Sequence, residues 1–351
     1  MHPLYGRALL EWPLVLVALT VFGTGAFALC CAPSDDAHGE AVVSALSPLW
    51  RGLALVAVLI LPLVLLDITA EMAAVSWGKA IPLMPAVMLH THVGRVWAGC
   101  LPATGLLLAG AFLPRWHAVR PIVLSALATL LLLCDALSSH AVDQGWLAVA
   151  VYFIHESAAG LWLGALLGLW IVAKRGKAPK RWAEHAARRV SYLASWCVLA
   201  LVLTGAYTAY ETLGLNLSGL LFSTYGRILI AKVVIFATVL ALGAYNRYRL
   251  VPEVKTSTSR EALLRNVGVE SLILLVGVLA LASLLANTPP AHNHIEHSAR
   301  TAWREYHHHE SSTKLSAQFA AVRRTRDQEK GKRTDDSTLS GKTKNQVGNH
   351  L

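Results

Sequence analysis

Two histidines lie in and beside a long apolar stretch in the middle of the chain. His140 lies in the polar stretch before it, and His155 lies inside the apolar run, where Glu156 follows it. An ionisable pair in a segment apolar enough to cross a membrane is costly to bury, which makes it a candidate functional site. Because imidazole is the commonest metal ligand among side chains, His140 and His155 are candidate metal ligands.

Sulfur ligands and two further histidines lie earlier in the chain. Met72, Met84 and Met88 precede His90 and His92. Thioether and imidazole together suit copper, and the sulfur favours Cu(I). Met84, Met88 and His92 are spaced four apart, so they share one face if this stretch is a single helix. His90 and His92 can share an ion only if the backbone between them is irregular.

Each of these candidates also has a purely structural interpretation. The methionines can be packing residues, whereas His90 can face the lipid headgroups and His140 can be a solvated loop histidine. His155 is the hardest to explain in this way, because a buried histidine in lipid needs a partner.

The composition predicts the elements that must position these residues. The chain is 55% hydrophobic and 15% charged, and its mean hydropathy is +0.49. Soluble domains carry nearer to about 25% charged residues. Apolar runs of about 20 residues indicate spanning helices. We therefore predict an all-α polytopic membrane helix bundle with about eight transmembrane helices, at 12–31, 49–71, 86–113, 119–138, 146–173, 190–212, 225–247 and 267–286.

Three regions follow from this segmentation. Residues 1–48 hold the first segment and its link, and residues 49–290 form the transmembrane core. Residues 291–351 are polar, charged and histidine-containing, and we predict that this tail is disordered. Its two histidine clusters can bind metal or can simply be solvated, and they comprise His292, His294, His297, His307, His308 and His309.

Several charged or bulky residues can support a site at His155. Asp135 ends the fourth segment, Trp162 lies two turns beyond His155, and Arg227 and Lys232 lie in the seventh segment. The sequence leaves four acidic candidates open as the partner of Lys232, namely Asp67, Asp135, Glu156 and Glu211.

The glycines and cysteines in the apolar segments are interpreted as packing residues. Gly160, Gly164 and Gly168 repeat every four residues, which favours close approach of another helix. The five cysteines include no CxxC motif, so we expect small buried apolar side chains rather than a thiol metal site. A separate expectation is that Glu270 pairs with the basic residues after the seventh segment.

The distribution of charge indicates an orientation rather than a nucleic-acid partner. The net charge is +10, and lysine and arginine concentrate in the 174–189 and 247–266 connections, in the link before the fourth segment and in the tail. The positive-inside rule places these connections in the cytoplasm and both termini in the periplasm. The acidic link 32–48 fits this arrangement poorly. Cleavage of the first segment as a signal peptide would leave seven helices of opposite orientation, and we expect no cleavage.

The sequence resembles the copper-resistance CopD family over roughly residues 50–290. The resemblance implies an eight-helix inner-membrane protein that moves copper from periplasm to cytoplasm, with a periplasmic copper-binding partner. It rests on short groups of residues, namely Thr91, Gly94, Arg95 and Trp97; Ser139-His140-Ala141; His155 with Trp162 and Gly164; Thr224-Tyr225-Gly226-Arg227 with Lys232; Asn246-Arg247 with Pro252; and Asn287-Thr288-Pro289-Pro290.

Two other functions remain open at this stage. His92 and His155 could hold a haem between neighbouring helices, as in transmembrane electron-transfer proteins. Alternatively, the protein could be a sensor or delivery factor that passes copper to an outer-surface partner without transporting it. The sequence contains no GxxxxGK[ST] motif and no recognisable nucleophile–base arrangement, so we expect neither nucleotide-driven pumping nor an enzyme.

The predicted orientation is tested by reporter fusions. Alkaline phosphatase fused after Leu351 is expected to be active, because it needs the oxidising periplasm to fold. The same reporter fused after Pro252, in a connection predicted to be cytoplasmic, is the inactive control. Activity at Pro252 together with inactivity at Leu351 would reverse the orientation.

Overall fold

The described part of the chain is helical throughout. The computed structural model describes residues 3–31, 36–113, 118–139, 141–175, 180–213, 217–252, 257–278, 281 and 284. These residues contain no β-strand, and all belong to one compact unit, Met1–Ala291. The predicted all-α fold is confirmed, whereas His140 and the tail 291–351 lie outside the described residues.

Twelve α-helices are numbered here in chain order within these ranges. They are α1 (Pro3–Cys31), α2 (Asp36–Met72), α3 (Trp77–Ala80), α4 (Met84–His90), α5 (His92–Phe112), α6 (Arg120–Ser138), α7 (Ala141–Gln144), α8 (Trp146–Lys174), α9 (Lys180–Leu213), α10 (Leu217–Phe222), α11 (Thr224–Tyr245) and α12 (Ser257–Leu272). A 3₁₀ turn covers Ile81–Leu83, and π-helical turns cover Asn246–Leu250 and Ile273–Val278.

Seven of the described helical segments are long and apolar enough to cross a membrane. They are Leu10–Cys31, Gly39–Met72, His92–Phe112, Arg120–Ser138, Trp146–Lys174, Glu184–Leu213 and Thr224–Leu250. The polytopic membrane bundle is thereby confirmed. The predicted eighth segment, 267–286, is helical as far as Val278, and most of its remainder lies outside the described residues. The count of eight therefore stays a prediction.

Three connections that we predicted as loops contain helix. Helix α2 begins at Asp36 rather than near residue 49, α9 begins at Lys180, and α12 begins at Ser257. Hydropathy detects only the part of a helix that lies in the hydrocarbon layer, so polar helical extensions escape it. Pro48 lies inside α2, which a bundle tolerates because neighbouring groups can compensate for the lost hydrogen bond.

The backbone breaks between α4 and α5 at Thr91. This residue is extended (φ −106°, ψ 154°) and its hydroxyl donates to the Val87 carbonyl at 2.8 Å. The same oxygen accepts from the Gly94 N–H at 2.9 Å, so it caps α5. The condition under which Met84, Met88 and His92 would share one helix face is therefore not met, because Thr91 ends one helix and caps the next. The irregularity required for His90 and His92 to share an ion is present.

Helix α1 lies at the centre of the bundle and packs against α2, α6 and α8. Its Gly23 meets Gly160 and Gly164 of α8 backbone to backbone. A Cβ on Gly164 would lie 2.1 Å from the carbonyl carbon of Gly23, so no larger side chain fits. Gly168 contacts the ring of Phe27 in the same way. The packing role predicted for the glycine stripe is confirmed, with α1 as the partner helix.

The end of α1 is held by side chains of α9. The Trp182 indole donates to the Cys31 carbonyl at 2.6 Å, and Arg189 donates to the Cys30 carbonyl at 2.7 Å. These bonds satisfy carbonyl groups that the helix end leaves without an intrahelical partner. Helix α1 is thus fixed both to α8 along its length and to α9 at its end.

The glycine contact gives a stability prediction. Gly164→Ala is expected to lower the apparent melting temperature of the detergent-solubilised protein, because overpacking costs about 1–3 kcal/mol or more. Gly105→Ala is the matched control, since a Cβ at that position in α5 meets open space. Alanine is intrinsically better than glycine in a helix, so the control is expected to be neutral or stabilising. Equal melting temperatures for the two variants would contradict the close α1–α8 contact.

Candidate intramembrane metal site

Polar side chains from four spanning helices meet within the apolar bundle. We call this set the intramembrane polar cluster, and it comprises Asp135 of α6, Tyr152, His155 and Glu156 of α8, Thr204 of α9 and Lys232 of α11. His155, Thr204 and Lys232 each lie eight or nine residues from the same end of the bundle. At 1.5 Å per residue, they lie about 12–13 Å along their helices.

The hydrogen bond of His155 fixes which ring nitrogen carries the proton. Its Nδ1 lies 2.8 Å from the Thr204 hydroxyl oxygen, and that hydroxyl lies 2.6 Å from the Ala200 carbonyl. The carbonyl can only accept, so the single Thr204 proton is directed to it, and Nδ1–H of His155 must donate to Thr204. In the neutral imidazole, Nε2 then keeps its lone pair. This is the arrangement found in metal-binding histidines, whose other nitrogen donates to a fixed partner.

Glu156 follows His155 on α8 and has a different set of neighbours. It is buried, at 9% exposure, and it lies within hydrogen-bonding range of the Asp135 carboxyl and the Tyr152 hydroxyl. Tyr152 itself donates to Asp135 Oδ2 at 3.3 Å. Among the described residues, Glu156 Oε2 has no hydrogen-bond partner. The cluster therefore offers a buried carboxyl oxygen as well as an imidazole nitrogen.

Lys232 supplies the opposite charge to this carboxyl group. Of the four partners that the sequence left open, the structure places Glu156 in electrostatic contact with Lys232. The same lysine also lies close enough to His155 to act on it electrostatically. Arg227, one and a half turns earlier in α11, is exposed and bonds locally to Thr224 at 3.5 Å. Arg227 is therefore set apart from the cluster.

Trp162 lies two turns along α8 from His155 and faces α11. Its ring meets Phe236 edge to face, with centroids 5.8 Å apart, and its indole approaches the Glu270 carboxyl without completing a hydrogen bond. Asn246 donates to Glu270 Oε2 at 3.1 Å. A second, smaller polar contact thus lies nearer the other end of the bundle.

The predicted pairing of Glu270 with basic residues is wrong. Arg247 instead donates to the Ser191 carbonyl at 2.8 Å and contacts Ser195, both on α9. Glu270 is 2% exposed and lies beside the amide of Asn246, which can enter the bundle without a charge. The arginine guanidinium is costlier to bury, and Arg247 is only partly buried.

The methionines and the two remaining histidines lie at the end of the bundle where α5 and α8 begin. Met84 and Met88 are half-buried and pack against the core, whereas Met72 is 50% exposed. His90 and His92 are exposed. We call this region the Met/His end; it comprises the end of α2, helix α4 and the first residue of α5. Its members lie at this end of the bundle and do not belong to the intramembrane polar cluster.

His92 joins this region to the end of α6. Its Nε2 lies 3.3 Å from the Leu137 carbonyl, two residues beyond Asp135. His92 and His155 therefore contact α6 and α9 respectively, and the haem hypothesis for this pair remains a prediction. Among the described residues, no three side chains of His, Cys, Asp or Glu form a group able to hold a metal ion. His140 lies outside them.

Two members of the cluster and one pair of cysteines outside it were missed at the level of sequence. Tyr152 could have been found, because it is four residues before Glu156 and shares its helix face. Thr204 carries no signal of its own, since threonine in a spanning helix usually bonds its own backbone. The third omission concerns Cys100 and Cys134, which meet across α5 and α6 although they are 34 positions apart.

Comparisons with known proteins place these features in a family. The sequence model of copper resistance protein D matches residues 184–285. That of the copper resistance protein D-like N-terminal domain matches residues 3–149. Copper resistance protein D of Pseudomonas syringae pv. tomato is 24% identical over 253 residues, which are 69% of this chain and 81% of that protein. No solved structure matches.

The two sequence models lie in the order expected for one protein and together cover well over half of the chain. They agree with the relative in naming copper resistance, and the seven apolar helices agree with a membrane protein. The resemblance read from the short residue groups is thereby confirmed. The chain belongs to the copper resistance protein D family, whose function is copper-related and is carried out in a membrane.

Proposed function

We propose that this protein moves copper ions across the bacterial inner membrane, from periplasm to cytoplasm, and that it contributes in this way to copper tolerance. The observation that carries the proposal is the geometry of His155. Thr204 fixes its neutral tautomer and leaves Nε2 free as a ligand, about 13 Å into the bundle. Ionisable residues inside spanning helices often mark the paths of ions or substrates, so a ligand at this depth supports transport.

Charge supports the proposed orientation. The end of the bundle opposite the Met/His end carries the basic residues of the 174–189 and 247–252 stretches, among them Arg175, Arg189 and Arg247. By the positive-inside rule this end faces the cytoplasm, and the Met/His end faces the periplasm. Both termini are then periplasmic, and the lipid bilayer covers the outward apolar faces.

The order of ligands suggests a route for the ion. Met72, Met84 and Met88 with His90 and His92 would capture copper at the outer surface, and His140 would lie in the adjoining connection. The next nitrogen ligand inward is His155, beside the carboxyl group of Glu156. The methionine sulfurs favour Cu(I), whereas the imidazole nitrogens accept either Cu(I) or Cu(II).

A periplasmic copper-binding protein is the partner that fits an exposed set of capture ligands. The exposed Met72 and His90 are accessible to such a protein at the bundle surface. Copper is the cargo of this process rather than a resident cofactor, and we expect no nucleotide to take part. A delivery or sensing role would use the same outer ligands without movement of the ion through the bundle.

The role of His155 is tested by graded substitutions. His155→Ala is expected to abolish copper uptake by proteoliposomes, because it removes the deep ligand. Thr204→Val keeps the imidazole but removes its orienting partner, and the loss of such a partner typically weakens metal affinity about 10–100-fold. Thr208→Val is the matched control, because Thr208 lies one turn further along α9 and is exposed. Its hydroxyl donates to the Thr204 carbonyl of its own helix.

Gel filtration of each variant checks that the bundle remains folded. Uptake that is unchanged in the folded His155→Ala protein would rule out His155 as a ligand on the route. Wild-type protein that binds copper yet fails to accumulate it in vesicles would instead favour the delivery role.

The outer ligands give a separate prediction. Met84→Ala/Met88→Ala is expected to lower cellular copper at limiting external copper, because capture loses its sulfur ligands, and to have a smaller effect at high copper. Metal content of whole cells measures this difference. Met84→Leu/Met88→Leu is the control for packing, because leucine replaces methionine in cores at a cost below about 1.5 kcal/mol but cannot bind copper. Normal copper content in the leucine variant would assign both methionines to packing.

A further inference from the structure

Two of the buried cysteines lie side by side on neighbouring helices. Cys100 of α5 is fully buried and Cys134 of α6 is 7% exposed. The two thiols interact directly with each other, and the Cys100 Sγ–H donates to the Val96 carbonyl at 3.6 Å. Both are free thiols. Helices α5 and α6 pack directly against each other, so the pair is held by the fold rather than by flexible chain.

The surroundings of this pair connect it to the proposed route of the ion. A cavity of about 10 Å³, which is close to the space of one water molecule, is lined by Trp97, Leu131 and Asp135 together with residues of α1. Trp97 lies one turn from Cys100 on α5, and Asp135 directly follows Cys134 on α6. The cavity is thus lined by sequence neighbours of both cysteines rather than by the thiols themselves, and it touches the polar cluster through Asp135.

The outer end of the same helix pair carries an accessible ligand. His92, the first residue of α5, contacts the Leu137 carbonyl of α6 and is exposed. Cys100 lies eight residues further along α5, about 12 Å inward. A histidine at the surface and two thiols below it thus occupy the groove between the same two helices.

We infer that Cys100 and Cys134 form a two-thiolate binding site for Cu(I) between α5 and α6. The inference rests on the proposed function in that copper is the ion the protein handles. Thiolates select Cu(I) among the biological metals, and this ion accepts few ligands, so two converging sulfurs form a sufficient pair. Binding forms two Cu–S bonds, breaks the two S–H bonds and releases two protons, while the copper stays Cu(I). The bound cation neutralises one of the two thiolate charges.

The site is tested by Cu(I) binding under anaerobic conditions. Purified full-length protein is titrated with Cu(I) against a chromophoric Cu(I) chelator, in the background Met84→Leu/Met88→Leu so that these two outer sulfurs do not contribute. Cys100→Ser/Cys134→Ser is expected to lose one equivalent of Cu(I) and the Cu–S scattering in the X-ray absorption spectrum. Cys197→Ser is the matched control, because Cys197 is equally buried, at 4% exposure, but lies on α9.

The single variants Cys100→Ala and Cys134→Ala keep the test decisive if the double serine variant does not fold. Each is expected to lose the same equivalent of Cu(I) as the double variant, because neither sulfur alone completes the pair. Cu(I) stoichiometry and Cu–S scattering that are unchanged in these variants would overturn the dithiolate site and leave the proposed transport intact. Wild-type protein that binds no copper at all would overturn the proposed function, and the dithiolate site with it.

Discussion

The close contact between α1 and α8 is the constraint on which the rest of the arrangement depends. Gly23 and Gly164 bring the two backbones together at a distance that excludes any side chain. In a membrane, helices associate through such packing rather than through release of water. The contact also fixes the rotation of α8. His155 precedes Gly164 by nine residues, which is about 180° around a helix, so the face opposite α1 carries His155 towards Thr204 of α9.

Burial of charged and polar groups is the main cost in this bundle, and the cluster offsets it by mutual pairing. A charged residue inside the bilayer is tolerated when it faces the protein interior and meets a partner. Glu156 has Lys232, Asp135 and Tyr152 around it, and His155 has Thr204. Removing one partner of a buried pair costs more than the pair contributes. Such a cluster costs more free energy than apolar packing would, so a purely structural role does not account for it and a functional role is favoured.

Much of this arrangement follows from sequence, and the limits have identifiable physical causes. Hydropathy located the spanning helices because the hydrocarbon layer selects long apolar runs. Hydropathy missed the part of α2 before Pro48, because this part is more polar and its helix is stabilised by packing in the bundle. His155 was recognised by the cost of burying it, whereas Thr204 was not, because only tertiary packing decides which threonine faces it. Likewise, the partner of Lys232 and the meeting of Cys100 with Cys134 depend on how helices distant in sequence are rotated.

Helix α8 separates two parts of the chain that the family describes by separate sequence models, one ending at residue 149 and the other beginning at residue 184. It packs against α1, α2 and α6 from the first part and against α9 and α12 from the second. The bond from His155 to Thr204 crosses from α8 to this second part. If α8 moves with the first part, rocking of the second part against it would have to stretch that bond, and the imidazole would lose the partner that fixes its tautomer. Ligand strength and bundle opening would then be coupled through a single threonine hydroxyl.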